Sequence, residues 1–268
     1  MIYKRNEGLF SNINVFQRMI CHEFLHYKTQ DNYVEMYFEE YCKETDFYQH
    51  LFKVDKSVLL NEDFCKNLLE KCDTRAYGLF QNKIDINSID LVRKKYLNYS
   101  EEVKKKAKEI KKGLPENYVF VWYRGTDKKS EAHVIDIEKV VNMAISKGLP
   151  IVVKTDEIKF KKYLEEKEVK HIMLEALPQK ENGECLHKHL YNVSGKDFFD
   201  QYGLTKVEYL QQMLALTIVA TEAAWFICTP SNIVSWVIQN KGNFNNITIF
   251  RDNERFLYEG NPLGPLEW

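Results

Sequence analysis

At 268 residues, with 44% hydrophobic and 29% charged residues, the chain can bury one large core or two small ones and has an ordinary globular balance. Its 38 Lys and Arg stand against 39 Asp and Glu, a net charge of −1, so no global field points to nucleic acid. The longest apolar stretch, Met213 to Cys228, is broken by Thr217, Thr221 and Glu222 and falls short of the ~20 residues a membrane span needs.

In chain order, a helix is predicted over Ser11 to Tyr27, after the turn at Gly8. A strand follows at Tyr33 to Phe38, on alternation. Helices are then predicted over Ser57 to Cys72 and over Asp90 to Lys112. The second is closed by Gly113 and Pro115, which sets a domain boundary between residues 1–113 and 114–268. Beyond it, strands and helices alternate. Strands fall at Tyr118 to Tyr123, Pro150 to Lys154, His171 to Leu174, Trp225 to Cys228 and Ile247 to Arg251. Helices fall at Asp136 to Ser146, Ile158 to Glu166, Thr205 to Glu222 and Ser231 to Gln239, and Leu177 to Gly203 reads as a long loop. This is the pattern of an α/β fold: a mostly helical N-terminal half, then a parallel sheet with covering helices.

Six cysteines show no Cys-x-x-Cys pair, and the N-terminus carries no signal-peptide pattern, so an intracellular, cytoplasmic protein with reduced thiols is expected. The Lys-rich run from Lys104 to Lys112 reads as a solvated helix face. His22-Glu23-Phe24-Leu25-His26 fits the His-Glu-x-x-His zinc-peptidase pattern, with Glu39 or Glu40 as a remote third ligand. It is kept as a remote alternative.

Three segments carry the chemistry expected of an anion site. Val119 to Tyr123 is an apolar run that ends in Arg124-Gly125-Thr126-Asp127-Lys128, with Glu131 just beyond. In open α/β sheets ligands bind at the carboxyl ends of the strands, and the planar fork of an arginine suits phosphate oxygens. Cys228-Thr229-Pro230-Ser231-Asn232 runs from a strand end into a helix start, where unpaired N–H groups and the dipole favour an anion. Gly8-Leu9-Phe10-Ser11-Asn12 opens another helix; the glycine permits close backbone approach, and Asn12 offers a donor and an acceptor.

Taken in order, Gly-Leu-Phe-Ser-Asn, Arg124 to Lys128, the Thr155-Asp156 pair after the next strand and the Ser231-Asn232 helix start resemble the fucosyltransferase superfamily. That group includes the α1,6-, nodulation and protein O-fucosyltransferases. The resemblance runs from about Gly8 to Gly242. It implies a GT-B-like fold of two Rossmann-like halves with the donor in the cleft. It further implies inverting transfer from GDP-fucose to a glycan or glycoconjugate hydroxyl, without metal or other cofactor. The partners implied are the nucleotide sugar and the glycan acceptor, with neither nucleic acid nor an integral membrane segment. Residue by residue, Arg124 would hold the donor β-phosphate and stabilise departing GDP. Ser231, Asn232 and Ser235 would add donors at the same phosphate, and Gly8 and Asn12 would meet the nucleotide. Asp127 would orient Arg124 or Lys128, and Glu131 would be the general base. Asp156 matches the family's acidic position after the following strand. Trp122 stands where many relatives carry histidine, and would stack on a base or fill the core. Gln212 stands where relatives place the aspartate that reads guanine. The alternatives are a transferase using another nucleotide sugar and a non-catalytic nucleotide-binding protein of the same fold.

Overall fold

The computed structural model describes residues 1–5, 8–28, 33–38, 45–75, 87–124, 135–174, 203–242, 245–250, 256–259 and 261–262. These residues fall into two compact units. The first takes Met1–Lys108, Leu190–Ile218 and Ser231–Asn243; the second takes Glu109–His189, Val219–Pro230 and Phe244–Trp268. The division is therefore not the single cut expected at Gly113. Two later segments return to the first unit, and one of them carries α9, which packs on α1.

The first unit opens with strand β1 (Ile2–Arg5), paired in parallel with β2 (Glu35–Phe38) around helix α1 (Leu9–Tyr27). Strand β1 has no counterpart among the predicted elements: four residues, two of them charged, carry too little period to read. Short α2 (Tyr48–Leu51) leads into β3 (Phe52–Lys53). Helix α3 covers Glu62–Lys71, shorter than the expected Ser57 to Cys72. The Asp55 carboxylate accepts from Ser57 N at 2.9 Å and holds a turn there, and Asn61 caps the helix by accepting from Phe64 N at 2.8 Å.

The long helix expected from Asp90 to Lys112 is two: α4 (Asn87–Tyr96) and α5 (Glu101–Lys111). Between them β4 (Asn98–Tyr99) pairs antiparallel with β3. The Asn98 amide donates back to Lys94 O, and Ser100 Oγ accepts from Val103 N at 3.3 Å to start the next helix. Local side-chain bonds of this kind compete with helix continuation.

The second unit is built on a sheet of β5 (Val119–Tyr123), β6 (Ile151–Thr155), β7 (His171–Met173), β8 (Trp225–Cys228), β9 (Ile247–Phe250), β10 (Phe256–Glu259) and β11 (Asn261–Pro262). Among the described residues the strand order is β11-β10-β9-β8-β5-β6-β7. The pairs β9·β8, β8·β5, β5·β6 and β6·β7 are parallel; β10 and β11 add an antiparallel edge. The α/β class and the parallel sheet with covering helices are thus as expected.

Helices α6 (Ile137–Ser146) and α7 (Ile158–Glu166) cover one face, where Val119, Val121, Val153 and Ile227 meet Val140, Ala144, Phe160 and Leu164. Asp136 caps α6 through Glu138 N. Strands buried on both faces explain why β5 reads as a continuous apolar run and β6 as one up to Val153. Each fully buried Val or Ile contributes roughly 1.5–3 kcal/mol. Helices α8 (Lys206–Glu222) and α9 (Asn232–Lys241) complete the described elements, and Thr205 and Glu208 form a reciprocal cap at the start of α8.

Candidate functional site

The parallel strands have the order of a doubly wound sheet. From β5 the chain adds β6 and β7 on one side, then returns to add β8 and β9 on the other. The reversal lies between β5 and β8, and the carboxyl ends of those two strands are where such sheets bind ligands. The residue that follows β5 is Arg124, and the residue that follows β8 is Thr229.

These two residues are joined. Arg124 N donates to Thr229 Oγ1 at 3.0 Å, and that hydroxyl faces Arg124 O at 3.4 Å. Thr229 N donates to Trp122 O at 3.3 Å. Backbone pairing is thereby carried one step past the strand ends, with the threonine hydroxyl serving both backbone polar groups of Arg124. The guanidinium is fixed as well: its Nε lies 3.4 Å from Asp156 Oδ2, with side-chain exposures of 18% and 8%. Asp156 follows β6, so all three contributors sit at carboxyl ends of neighbouring strands. A partly buried cation held from behind by a carboxylate can receive an oxyanion with little reorganisation.

The surroundings exclude competing chemistry from the strand itself. Tyr123 donates its hydroxyl to Ile135 O at 2.9 Å and stacks on Phe160 with centroids 4.5 Å apart. Burial pushes its phenol well up, helped by the Glu157, Asp156 and Asp136 carboxylates, so it stays neutral. Burial likewise raises the Cys228 thiol far above its ordinary value, which makes it an inert core residue. Trp122 is 2% exposed and packs its ring on Phe120 at 5.7 Å. Of the two roles open to it, the structure gives it the core, not a stacking face. Lys154 is buried beside it in register and donates to Thr155 O at 3.3 Å.

In the first unit, Ser231 is the N-cap of α9, its hydroxyl accepting from Val234 N at 3.3 Å, and Gly242 closes the helix in the left-handed region at φ 73°. The helix start is as expected, but Ser235 is not a donor group. It is fully buried and its hydroxyl donates to Thr74 O at 2.6 Å. Asn12 is also fully buried; the Tyr3 hydroxyl donates to its backbone carbonyl at 3.0 Å and meets its side-chain Oδ1 at 3.4 Å. Both side chains are turned into the packing, a correction to the outward role expected of them.

Gly8 caps α1 at φ −62°, a backbone any residue adopts, and a Cβ there would meet nothing within 4 Å among the described residues. The fold itself does not require glycine at that position. Gln212 is half-buried on α8, whereas its neighbour Gln211 is buried and donates to His50 O at 3.1 Å. Asp127, Lys128 and Glu131 lie outside the described residues, as does the loop expected from Leu177 up to residue 202.

His22 and His26 are exposed on α1, and among the described residues no group of three His, Cys, Asp or Glu is placed to hold a metal ion. Glu39 and Glu40 lie outside the described residues. No described helix is long and apolar enough to cross a membrane. Sequence reasoning assigns no role to Thr229; its signal is a hydroxyl placed between a buried strand and Pro230. Nor does it find the buried amides Asn14, Gln17 and Gln239, although Ser231, Ser235 and Gln239 form a polar i, i+4, i+8 stripe along a helix whose middle is apolar.

No protein-family model matches the sequence, and no curated protein sequence matches it either. Solved structures do. A NodZ α-1,6-fucosyltransferase soaked with GDP-fucose matches over 97% of this chain and 98% of that chain, at 10% identity and a TM-score of 0.53. The same enzyme co-crystallised with GDP matches over 98% of each chain, also at 10% identity and 0.53. NodZ from Bradyrhizobium matches over 97% of this chain and 98% of that chain, at 9% identity and 0.52. At such identities the likeness is one of fold: the chain has the GT-B-like α/β fold of a NodZ fucosyltransferase along nearly its full length.

Proposed function

We propose that the chain is a glycosyltransferase that moves a sugar, fucose in the first instance, from its GDP donor to a hydroxyl of a glycan or glycoconjugate. The observation that carries this reading is the Arg124–Thr229–Asp156 cluster at the switch point of the sheet. The near full-length likeness to a fucosyltransferase soaked with GDP-fucose supports it.

In this mechanism the acceptor oxygen attacks the anomeric carbon from the face opposite GDP. The bond from that carbon to the β-phosphate oxygen breaks, the configuration inverts, and the electron pair leaves on GDP. Arg124 meets the charge that develops on the β-phosphate, and no metal is invoked, since a fixed guanidinium supplies the same stabilisation. Glu131 takes the acceptor proton, Asp127 and Lys128 support the arginine, and Gln212 reads the base through its amide. The α9 start, Ser231 and Asn232, is assigned to a donor phosphate oxygen, with Gly8 at the nucleotide. Cys21, Cys65, Cys72 and Cys228 are free thiols, the state that a reducing cytoplasm maintains, and we place the chain there.

The test is GDP and fucose release from GDP-fucose, with and without a glycan panel, by wild type beside Arg124→Ala and Glu131→Gln. Arg124→Ala is expected to lose donor affinity and turnover together, and Glu131→Gln to keep donor binding while transfer slows. Equal turnover by wild type and Arg124→Ala would remove the phosphate role. GDP binding without release by wild type would assign the chain to the non-catalytic nucleotide-binding proteins.

A further inference from the structure

Within the first unit, α1 and α9 are joined by a buried polar network that the proposed chemistry does not use. Asn14, Gln17, Thr74 and Ser235 are fully buried and Gln239 is 2% exposed. Gln17 Nε2 donates to Gln239 Oε1 at 2.7 Å. The two hydrogens of the Gln239 amide are shared among three acceptors, Thr74 O at 2.9 Å, Ser235 Oγ at 3.0 Å and Asn14 Oδ1 at 3.3 Å. The Thr74 hydroxyl donates to Asn14 O, and Ser235 Oγ donates to Thr74 O. Finally, Asn14 Nδ2 donates to the carbonyl of Asn232, the first residue of α9, at 3.1 Å.

A network of this kind is a poor way to gain stability. An apolar contact between the two helices would do as well, and here Gln17 Oε1 is buried with no partner among the described residues. Hydrogen bonds differ from apolar contact in fixing register: an apolar helix face slides, whereas an amide aimed at one carbonyl does not. The register fixed here is that of the first turn of α9 against α1.

We infer that Asn14 and Gln239 are positioning residues that set the axial placement of the α9 start, and so the presentation of the Ser231–Asn232 N–H groups to the donor phosphate. The inference rests on the proposed reading of that helix start as a donor contact. Asn14 is the direct link, since its Nδ2 holds Asn232 O; Gln239 aims Asn14 through the latter's Oδ1. Gln17 stands one bond further back: it holds Gln239 Oε1 and makes no bond to Asn14 or Asn232 among the described residues.

The experiment is calorimetric titration of GDP into wild type, Asn14→Ala, Asn14→Asp and Gln17→Met. Each is confirmed folded by circular dichroism and held well below its melting temperature. Asn14→Ala is expected to weaken GDP binding about tenfold and to raise KM for GDP-fucose more than it lowers kcat. Gln17→Met is expected to shift the melting temperature and leave GDP affinity within twofold.

Asn14→Asp keeps an acceptor for Gln239 but has no donor for Asn232 O while ionised. Its GDP affinity is expected to match Asn14→Ala at pH 8.5 and to recover towards wild type as the introduced carboxyl protonates at lower pH, a recovery that loss of packing would not show. If Asn14→Ala fails to fold, the pH series on Asn14→Asp decides the matter alone. GDP affinity unmoved in folded Asn14→Ala, or a flat pH profile in Asn14→Asp relative to wild type, would overturn the inference while leaving the transferase reading intact. No GDP binding by wild type would instead sink that reading and the inference with it.

Discussion

Replacing Arg124 by lysine separates charge from shape. The substitution keeps one positive charge at the end of β5 but removes the planar fork and the Nε donor that faces Asp156 at 3.4 Å. The backbone bond from residue 124 to Thr229 Oγ1 is untouched, so the switch point keeps its geometry. The loss of the partly buried pair with Asp156 is worth at most about 1 kcal/mol of stability, given its length. On the phosphate side, one charge-assisted hydrogen bond is worth roughly 1.5–3 kcal/mol. At 1.4 kcal/mol per factor of ten, losing one of two bonds to the β-phosphate lowers kcat/KM for GDP-fucose by about 10- to 150-fold. The assay is steady-state GDP release, with a melting curve to verify folding. A variant within threefold of wild type would refute the bidentate argument, since a point charge would then serve as well.

Other perturbations test the structure around this site. Thr229→Val leaves the Arg124 N–H without its acceptor and is expected to cost about 1–3 kcal/mol in urea denaturation, with Thr229→Ser close to wild type. Ser231→Ala removes the cap of α9 and is expected to cost about 1 kcal/mol; a change under about 0.2 kcal/mol would show that the hydroxyl does not cap. Tyr99, whose hydroxyl accepts from Trp236 Nε1 at 2.9 Å, is pushed up by burial to about 12, against the opposing pull of Thr217, Trp236 and Arg93. Its unfolded-state pKa is about 10. Between about pH 10 and 12 the unfolded chain therefore releases a proton that the folded chain holds, and stability falls as pH rises through that window. Tyr48, Tyr118 and Tyr123, also raised by burial, add to the same slope. Tyr99→Phe is expected to make melting temperatures fall less steeply above about pH 10, and an unchanged slope would contradict the assignment.

The sheet was legible in the sequence because its strands are buried on both faces. Val119 to Tyr123 and Ile151 to Val153 read as apolar runs, and Gly148, Gly203 and Gly242 mark the chain turns with positive φ. Arg124 was legible for the same reason, as a charge set abruptly after such a run. What escaped was decided by local polar competition or by partners distant in sequence. Asn98 and Ser100 divide a helix that charge pattern alone makes continuous. Asp156 meets Arg124 because parallel pairing of β5 and β6 brings the end of one strand beside the other, a closeness that 32 residues of separation hide in the sequence. Ser235 and Asn12 looked like ligand donors because a single sequence cannot tell a buried polar residue with an internal partner from an exposed one. The division into units escaped because α9, far along the chain, packs on α1.

The most direct measurement is calorimetric titration of wild type and Arg124→Ala with GDP and with UDP under identical conditions. Saturable one-to-one binding of GDP by wild type, weakened at least about tenfold in a folded Arg124→Ala, is the expected result. Absence of binding by either nucleotide, or equal affinity in the two proteins, would contradict a diphosphate site at the carboxyl end of β5.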